Sequence, residues 1–237
     1  MHLHNHTKHT VYISPIEPNI SESLRSYGIN VIASKCINTL RENEQYHADM
    51  QICIINNTAF IPQNTAEIAD ILKILCYDVV ICKPLNYTYP ENISLNVALI
   101  GDKLYCKESS LAKEIADFCK ENKIEIANVN QGYTKCSTLI LNKKAIITSD
   151  STICTAAENN SISVLRISPG NIYLQDADYG FIGGCSGVIG DTVYFFGDIE
   201  THPDSEEIVR FIKKQGMNYI SLTKGMLKDI GGFVLLK

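Results

Sequence analysis

Gln51-Ile52-Cys53-Ile54-Ile55-Asn56-Asn57-Thr58-Ala59-Phe60-Ile61 reads as two apolar strands folded about a two-residue turn. Asn-Asn tolerates the positive φ that a tight hairpin demands. The pattern then predicts a helix from Thr65 to Leu75 and a third strand from Asp78 to Cys82. The same succession returns at Val97–Ile100, with the turn Gly101-Asp102, the strand Lys103–Cys106, the helix Ser110–Glu121 and the strand Ile124–Val129. It returns at Thr138–Leu141, with the turn Asn142-Lys143, then Ala145–Thr148, Ser151–Glu158 and Ser163–Ile167. A fourth copy has Gly187–Ile189, the turn Gly190-Asp191, then Thr192–Phe196, Ser205–Gln215 and Asn218–Leu222.

The fifth copy is split. Gly232–Leu236 supplies a first strand, and the remaining pieces stand at the other end of the sequence: the strand Val11–Ser14, the helix Ser21–Tyr27 and the strand Ile29–Ala33. Asn19 or Ser21 is the expected cap of that helix. Modules starting near 50, 96, 137, 186 and 232 are regular enough to be repeats of one ββαβ unit. Joining the two halves of the fifth predicts a closed ring without a free sheet edge. An open βαβ sandwich is the alternative, since a hairpin plus a helix recurs in many α/β proteins. Residues 10–237 are expected to form one domain, and residues 1–9, which hold four of the six histidines, a disordered tail.

Composition narrows the partners. With 21 Lys and Arg against 26 Asp and Glu, the chain is acidic and carries no basic stripe, which argues against nucleic acid. No apolar run is long enough for a membrane span. Nine cysteines in no CxxC or zinc spacing predict reduced thiols, most of them small core residues, and a cytoplasmic location. No cofactor or metal motif is present.

In a ring, residues at or just before each first strand converge on the axis. Those positions hold His47 and Asp49, Asn96, Lys135 with Cys136 and Ser137, Gly183-Gly184-Cys185, and Asp229 ahead of Gly231-Gly232. Each has a plainer reading. Cys136 is one more core thiol, His47 and Asp49 a loop pair, Asp229 a turn cap, and the glycines points of close backbone approach. His202-Pro203-Asp204 reads as a helix entry.

The segment Tyr133-Thr134-Lys135-Cys136-Ser137-Thr138-Leu139-Ile140-Leu141-Asn142-Lys143 resembles the nucleophile segment of the dimethylarginine hydrolases, within the guanidino-group-modifying, or pentein, superfamily. His47-Ala48-Asp49 is similar to the His-x-Asp motif of its deiminases, Asn96 to an asparagine of the hydrolases, and Asp229-Ile230-Gly231-Gly232 to the family's acid-Gly-Gly motif. The cyclic order matches, with a different starting point. The resemblance implies a five-bladed α/β-propeller of pseudo-fivefold symmetry. It also departs from the family. Ile230 stands where the acid beside the double glycine is expected, Phe233 replaces a second acid, and Gly183-Gly184-Cys185 stands where relatives place a carboxylate. Asp176 or Asp178 is the candidate substitute.

What the resemblance implies is attack by Cys136 on a guanidino or amidino carbon of a small molecule. Lys135 and a protonated His47 would lower the thiol pKa, and His47 would pass protons to the departing amine and from water. Asp229 would orient His47 or bind substrate, Asp49 would hold guanidinium N–H groups, Asn96 would position them, and Lys135 and Ser137 would line the site. Water as acceptor gives a hydrolase, a second amine an amidinotransferase. A non-catalytic binding module with an eroded acid clamp is the alternative. A metal site of His47, Asp49 and Cys136 has only residue type in its favour.

Overall fold

The computed structural model describes residues 9–237, so the expectation for the tail lies outside the described residues except at His9. The chain runs through β1 (Thr10–Ile13), α1 (Pro18–Ser26) and β2 (Asn30–Ala33) to a short helix α2 (Ala48–Gln51). Next come β3 (Cys53–Ile55), β4 (Thr58–Pro62), α3 (Ala69–Ile74) and β5 (Asp78–Cys82), then β6 (Ala98–Ile100), β7 (Lys103–Cys106), α4 (Lys113–Glu121) and β8 (Glu125–Asn128). They are followed by β9 (Thr138–Asn142), β10 (Ala145–Thr148), α5 (Ser151–Asn159), β11 (Ser163–Arg166) and β12 (Ile172–Tyr173). The last stretch holds β13 (Ser186–Ile189), β14 (Thr192–Phe195), α6 (Ser205–Lys214), β15 (Asn218–Ser221), β16 (Leu227–Lys228) and β17 (Phe233–Leu235). Among the described residues no helix is long and apolar enough to cross a membrane.

Five of the sheets are three-stranded and share one plan: a first strand antiparallel to a central one, which pairs in parallel with a third. The fifth of these joins both ends of the chain, with β1 between β17 and β2 and Val11 opposite Leu235. None of the sheets closes into a barrel. The parallel pair β12–β16 stands outside the repeat and was not expected from sequence.

Packing follows from strand periodicity. Successive side chains of a strand point to opposite faces, and each central strand is apolar on both. In β14, Val193 and Phe195 enter one core cluster, while Tyr194 and the following Phe196 enter the next. Likewise Leu104 and Cys106 of β7 part from Tyr105, Ala145 and Ile147 of β10 from Ile146, and Val11 and Ile13 of β1 from Tyr12. Five clusters result, each filled by residues of two successive modules. One of them joins Tyr12 and Leu236 to Ile52, Ala59 and Leu72. Fully burying one such side chain is worth about 1.5–3 kcal/mol, so neighbouring modules stabilise one another.

Several element boundaries differ from expectation, for local reasons. The segment expected as one helix from Thr65 is a 3-10 stretch over Gln63–Ile68, in which Thr65 leaves helical geometry (φ −124°), and only then α3. The helix expected from Ser110 begins at Lys113, because Leu111 and Ala112 are extended and Ala112 donates its N–H to the Ser94 carbonyl at 3.0 Å. α1 has no side-chain cap, so neither Asn19 nor Ser21 serves; Pro18 at its first turn has no N–H needing a partner. Gln51, expected in a strand, ends α2, and its amide serves the Lys35 and Gln45 carbonyls. The helix entry at His202 is as expected, with its Nδ1 accepting from the Asp204 N–H at 3.1 Å just before α6.

Candidate active site

His47 sits at the start of α2, a turn pinned from the far end of the sequence by the Asp49 N–H, which donates to the Gly231 carbonyl at 3.2 Å. Gly231 has φ +82°, and a Cβ there would lie 2.5 Å from His47 Cβ and Cγ. A glycine is therefore required both by the backbone and by the imidazole against it. Cys136 lies in the turn ahead of β9, where the Ser137 N–H donates to the Tyr133 carbonyl and the Gly184 N–H to the Cys136 carbonyl, both at 2.9 Å. A Cβ on Gly183 would strike the Lys135, Cys136 and Thr138 carbonyls, and one on Gly184 would strike the Asp229 carboxylate. The Gly-Gly pair thus lets two site-bearing turns approach.

The residues read from sequence meet. Cys136 Sγ donates to Asp49 Oδ2 at 2.7 Å, and Asn96 Nδ2 lies 3.4 Å from the same sulfur. Asn96 Oδ1 accepts from the Lys135 and Cys136 N–H groups at 2.9 and 3.2 Å. His47 Nε2 stands 4.0 Å from Asp229 Oδ1. The Asp229 carboxylate accepts from the Phe181 N–H at 2.8 Å and, as a local turn cap, from the Gly231 N–H at 3.0 Å. His47, Asp49, Asn96, Cys136, Ser137 and Asp229 are all buried. His47 Nε2, Asp49 Oδ1 and Ser137 Oγ are buried without a hydrogen-bond partner.

Electrostatics differ from the expectation of a lowered thiol. Burial first, then the carboxylates Asp49 and Asp229, hold the Cys136 thiol well above its ordinary range, against a small opposing pull from Asn96. Burial likewise raises Asp49 to about 6, with His47 and Lys135 pulling it back. Asp229 is raised by burial, and His47 opposes this. At neutral pH the pair is a proton-bearing sulfur on a carboxylate. One ligand atom each from His47, Asp49 and Cys136 lies within 4.8 Å of the others, a donor set suited to a thiophilic divalent ion only after the thiol loses its proton.

A cavity of about 630 Å³ opens onto Cys136, His47 and Asp229. Its wall adds residues that sequence reasoning passed over: Glu44, Tyr133, Phe181 and Arg41. Glu44 is buried, and its carboxylate accepts from Tyr133 Oη at 2.6 Å and Asn92 Nδ2 at 3.0 Å. The one available signal was its place three residues before His47. Of the two substitute acids, Asp176 lines this cavity and Asp178 does not. A second cavity, of about 310 Å³, is lined by residues of all five first strands, among them Ile54, Leu99, Ile140, Val188 and Val234, and by Asp49 and Lys135. The Cys136–Asp49 hydrogen bond lies between the two.

The chain shares its fold with solved structures of guanidino-modifying enzymes. A dimethylarginine dimethylaminohydrolase from Pseudomonas aeruginosa, a Cys-to-Ser mutant complexed with citrulline, superposes with a TM-score of 0.60 at 10% identity, over 94% of this chain and 95% of that one. An amidinotransferase of saxitoxin biosynthesis from Microseira wollei gives 0.56 at 10% identity, over 89% and 87%. The agmatine deiminase of C. jejuni gives 0.53 at 9%, over 91% and 86%. The fold is therefore the pentein fold of the guanidino-group-modifying enzymes. Within it the chain belongs to DUF6873, a family of unknown function whose model matches residues 13–234. No curated protein matches it by sequence.

Proposed function

We propose that this protein is a cysteine-dependent enzyme acting on the guanidino or amidino group of a small molecule through a covalent adduct on Cys136. The observation that carries the reading is the buried meeting of Cys136 Sγ, one nitrogen of the His47 imidazole and the Asp49 carboxylate within 4.8 Å, where Cys136 and His47 line a cavity. We take residues 10–237 as one domain and its five sheets as blades of a closed propeller. The core cluster joining Tyr12 and Leu236 to the β3–β4 module supports closure, as does the cavity lined by all five first strands. Nine unpaired cysteines favour a reducing compartment, the cytoplasm.

In this scheme a substrate cation enters beside Asp229 and Glu44, and its charge offsets the carboxylates that hold the thiol protonated. The thiol proton passes along the 2.7 Å hydrogen bond to Asp49. The sulfur then bonds to the central carbon of the substrate. His47 delivers a proton to the departing amine as the C–N bond breaks, leaving an amidino-thioether on Cys136. His47 next takes a proton from water or from a second amine, which attacks that carbon and releases the sulfur. Asp229 orients His47. Asn96 holds the Lys135–Cys136 backbone and the sulfur, so we read it as a positioning residue. Lys135 tempers the charge on Asp49, and Ser137 lies in the same turn as Cys136.

A protonated resting thiol also suits a binding module, and one experiment separates the two. Iodoacetamide labelling with mapping of the modified residue is run from pH 6 to 9, with and without guanidinium. The enzyme reading expects Cys136 to be slow alone and accelerated by the cation, ahead of the eight other cysteines. A Cys136 as inert with the cation as without it overturns the covalent scheme.

A further inference from the structure

The cavity over Cys136 is far larger than a guanidinium needs, and its upper wall is aromatic. Tyr133 and Phe181 lie stacked with centroids 6.2 Å apart and planes 30° apart, and Tyr179 meets Phe181 edge-on at 6.2 Å. These rings form a continuous row from the part-buried Tyr133–Glu44 hydrogen bond to the exposed Tyr179. Across the described lining, four carboxylates (Glu42, Glu44, Asp176 and Asp229) face one arginine, Arg41, and the His47 imidazole. The Arg41 guanidinium lies 5.6 Å from the Tyr87 ring centroid, so the chain itself seats a flat cation on an aromatic face at this mouth. Such a lining disfavours a carboxylate-bearing body, which would face four acids for one arginine. It favours a flat one, whose faces and edges match the quadrupoles of the row.

The geometry points to a substrate whose amidino or guanidino group is borne directly on a flat unsaturated ring without a carboxylate, an aryl or heteroaryl amidine or guanidine. The head reaches His47, Cys136 and Asp229, and the ring lies along Tyr133, Phe181 and Tyr179. This inference rests on the reading of the cavity as an amidine or guanidine site and names the body that the site accepts.

The test compares ligands that share a head group. Calorimetric titration of the Cys136→Ser protein with the amidines benzamidine and acetamidine isolates the ring, and with the guanidines L-arginine and methylguanidine the carboxylate-bearing body. Benzamidine is expected to bind about tenfold more tightly than acetamidine, and L-arginine no more tightly than methylguanidine. Phe181→Ala is expected to erase the advantage of benzamidine over acetamidine, read as the ratio of the two affinities in the same protein. Phe181→Leu, which keeps apolar bulk without a π-face, is expected to erase most of it, and Tyr179→Ala, at a 42% exposed position, to reduce it without risk to folding. Equal affinity for benzamidine and acetamidine, an advantage that survives both alanine variants, tighter binding of L-arginine, or no binding of any of them overturns the proposal. Whether Cys136 is the thiol alkylated by 2-chloroacetamidine is read separately. If that labelling is selective while the ring gives no advantage, the inference about the body fails and the catalytic reading stands.

Discussion

Asp49 is a buried carboxylate whose charged form the site disfavours. Its folded pKa of about 6 lies above the ordinary carboxylate value of 3.8, so between those values the folded protein holds a proton that the unfolded chain has released. The sign follows from linkage: this contribution is fully present below 3.8 and is lost as pH rises through about 6. The size is about 3 kcal/mol at most, and Asp229, raised in the same direction, adds to the trend. Asp49→Asn is therefore expected to leave urea stability nearly unchanged at pH 4 and to raise it by about 1–3 kcal/mol at pH 8. A variant less stable than wild type at pH 8 contradicts this account. Gly231→Ala is expected to cost more than the roughly 1–2 kcal/mol of a left-handed L-residue, since its Cβ also meets His47, and a shift in the His47 NMR signals would report it. At this scale much of the site was legible: His47, Asp49, Asn96, Cys136 and Asp229 each stand beside a first strand in the sequence. Glu44 was not, because its role comes from hydrogen bonds to Asn92 and Tyr133, distant residues that no local pattern links to it. The thiol's charge state was misjudged for a similar reason. Neighbouring cations can be read from sequence, whereas the burial that, with Asp49 and Asp229, raises the thiol cannot.

At the scale of an element, the central strand is the organising unit, since its two faces serve two different cores. Ile146 and Ile147 are adjacent in β10 yet belong to separate clusters. Ile146→Val and Ile147→Val are each expected to cost about 0.5–1.5 kcal/mol. Their double-mutant cycle is expected to close within about 0.5 kcal/mol, as for sites that share no partner. Urea unfolding of the three variants measures this, and a coupling above about 1 kcal/mol would show that the two faces communicate. Hairpins were the most readable elements, because Asn56-Asn57, Gly101-Asp102 and Gly190-Asp191 carry turn chemistry within themselves; in the third hairpin the turn falls one residue later than expected, at Lys143-Lys144, with Asn142 ending β9 opposite Ala145. Helix starts were less so. The diversion of Ala112 onto the Ser94 carbonyl is a tertiary contact, and it overrode the local helical pattern.

For the whole molecule, the sheet β17–β1–β2 makes the ends of the described chain neighbours, with the Thr10 N–H donating to the Lys237 carbonyl. A circular permutant that links Lys237 to His9 through a short Gly-Ser bridge and opens between the exposed Asn122 and Lys123 is expected to fold. Its thermal melt should be cooperative and its Cys136 labelling should match the parent; a permutant that fails to fold argues against closure. Repeat spacing made this pairing of the ends legible, whereas the β12–β16 pair, two residues per strand, left no trace in the pattern.

That shared sheet also orders events in time. Its central strand β1 leaves the ribosome about 220 residues ahead of its partner β17. Val11, Tyr12 and Ile13 therefore stay without their antiparallel neighbour until Phe233–Leu235 have emerged. The pairing of β1 with β17 is expected to form late, because closing so long a loop costs entropy before any contact repays it. A nascent chain stalled before Phe233 presents a bare apolar strand, and it is this species, rather than the finished protein, that chaperones must shield.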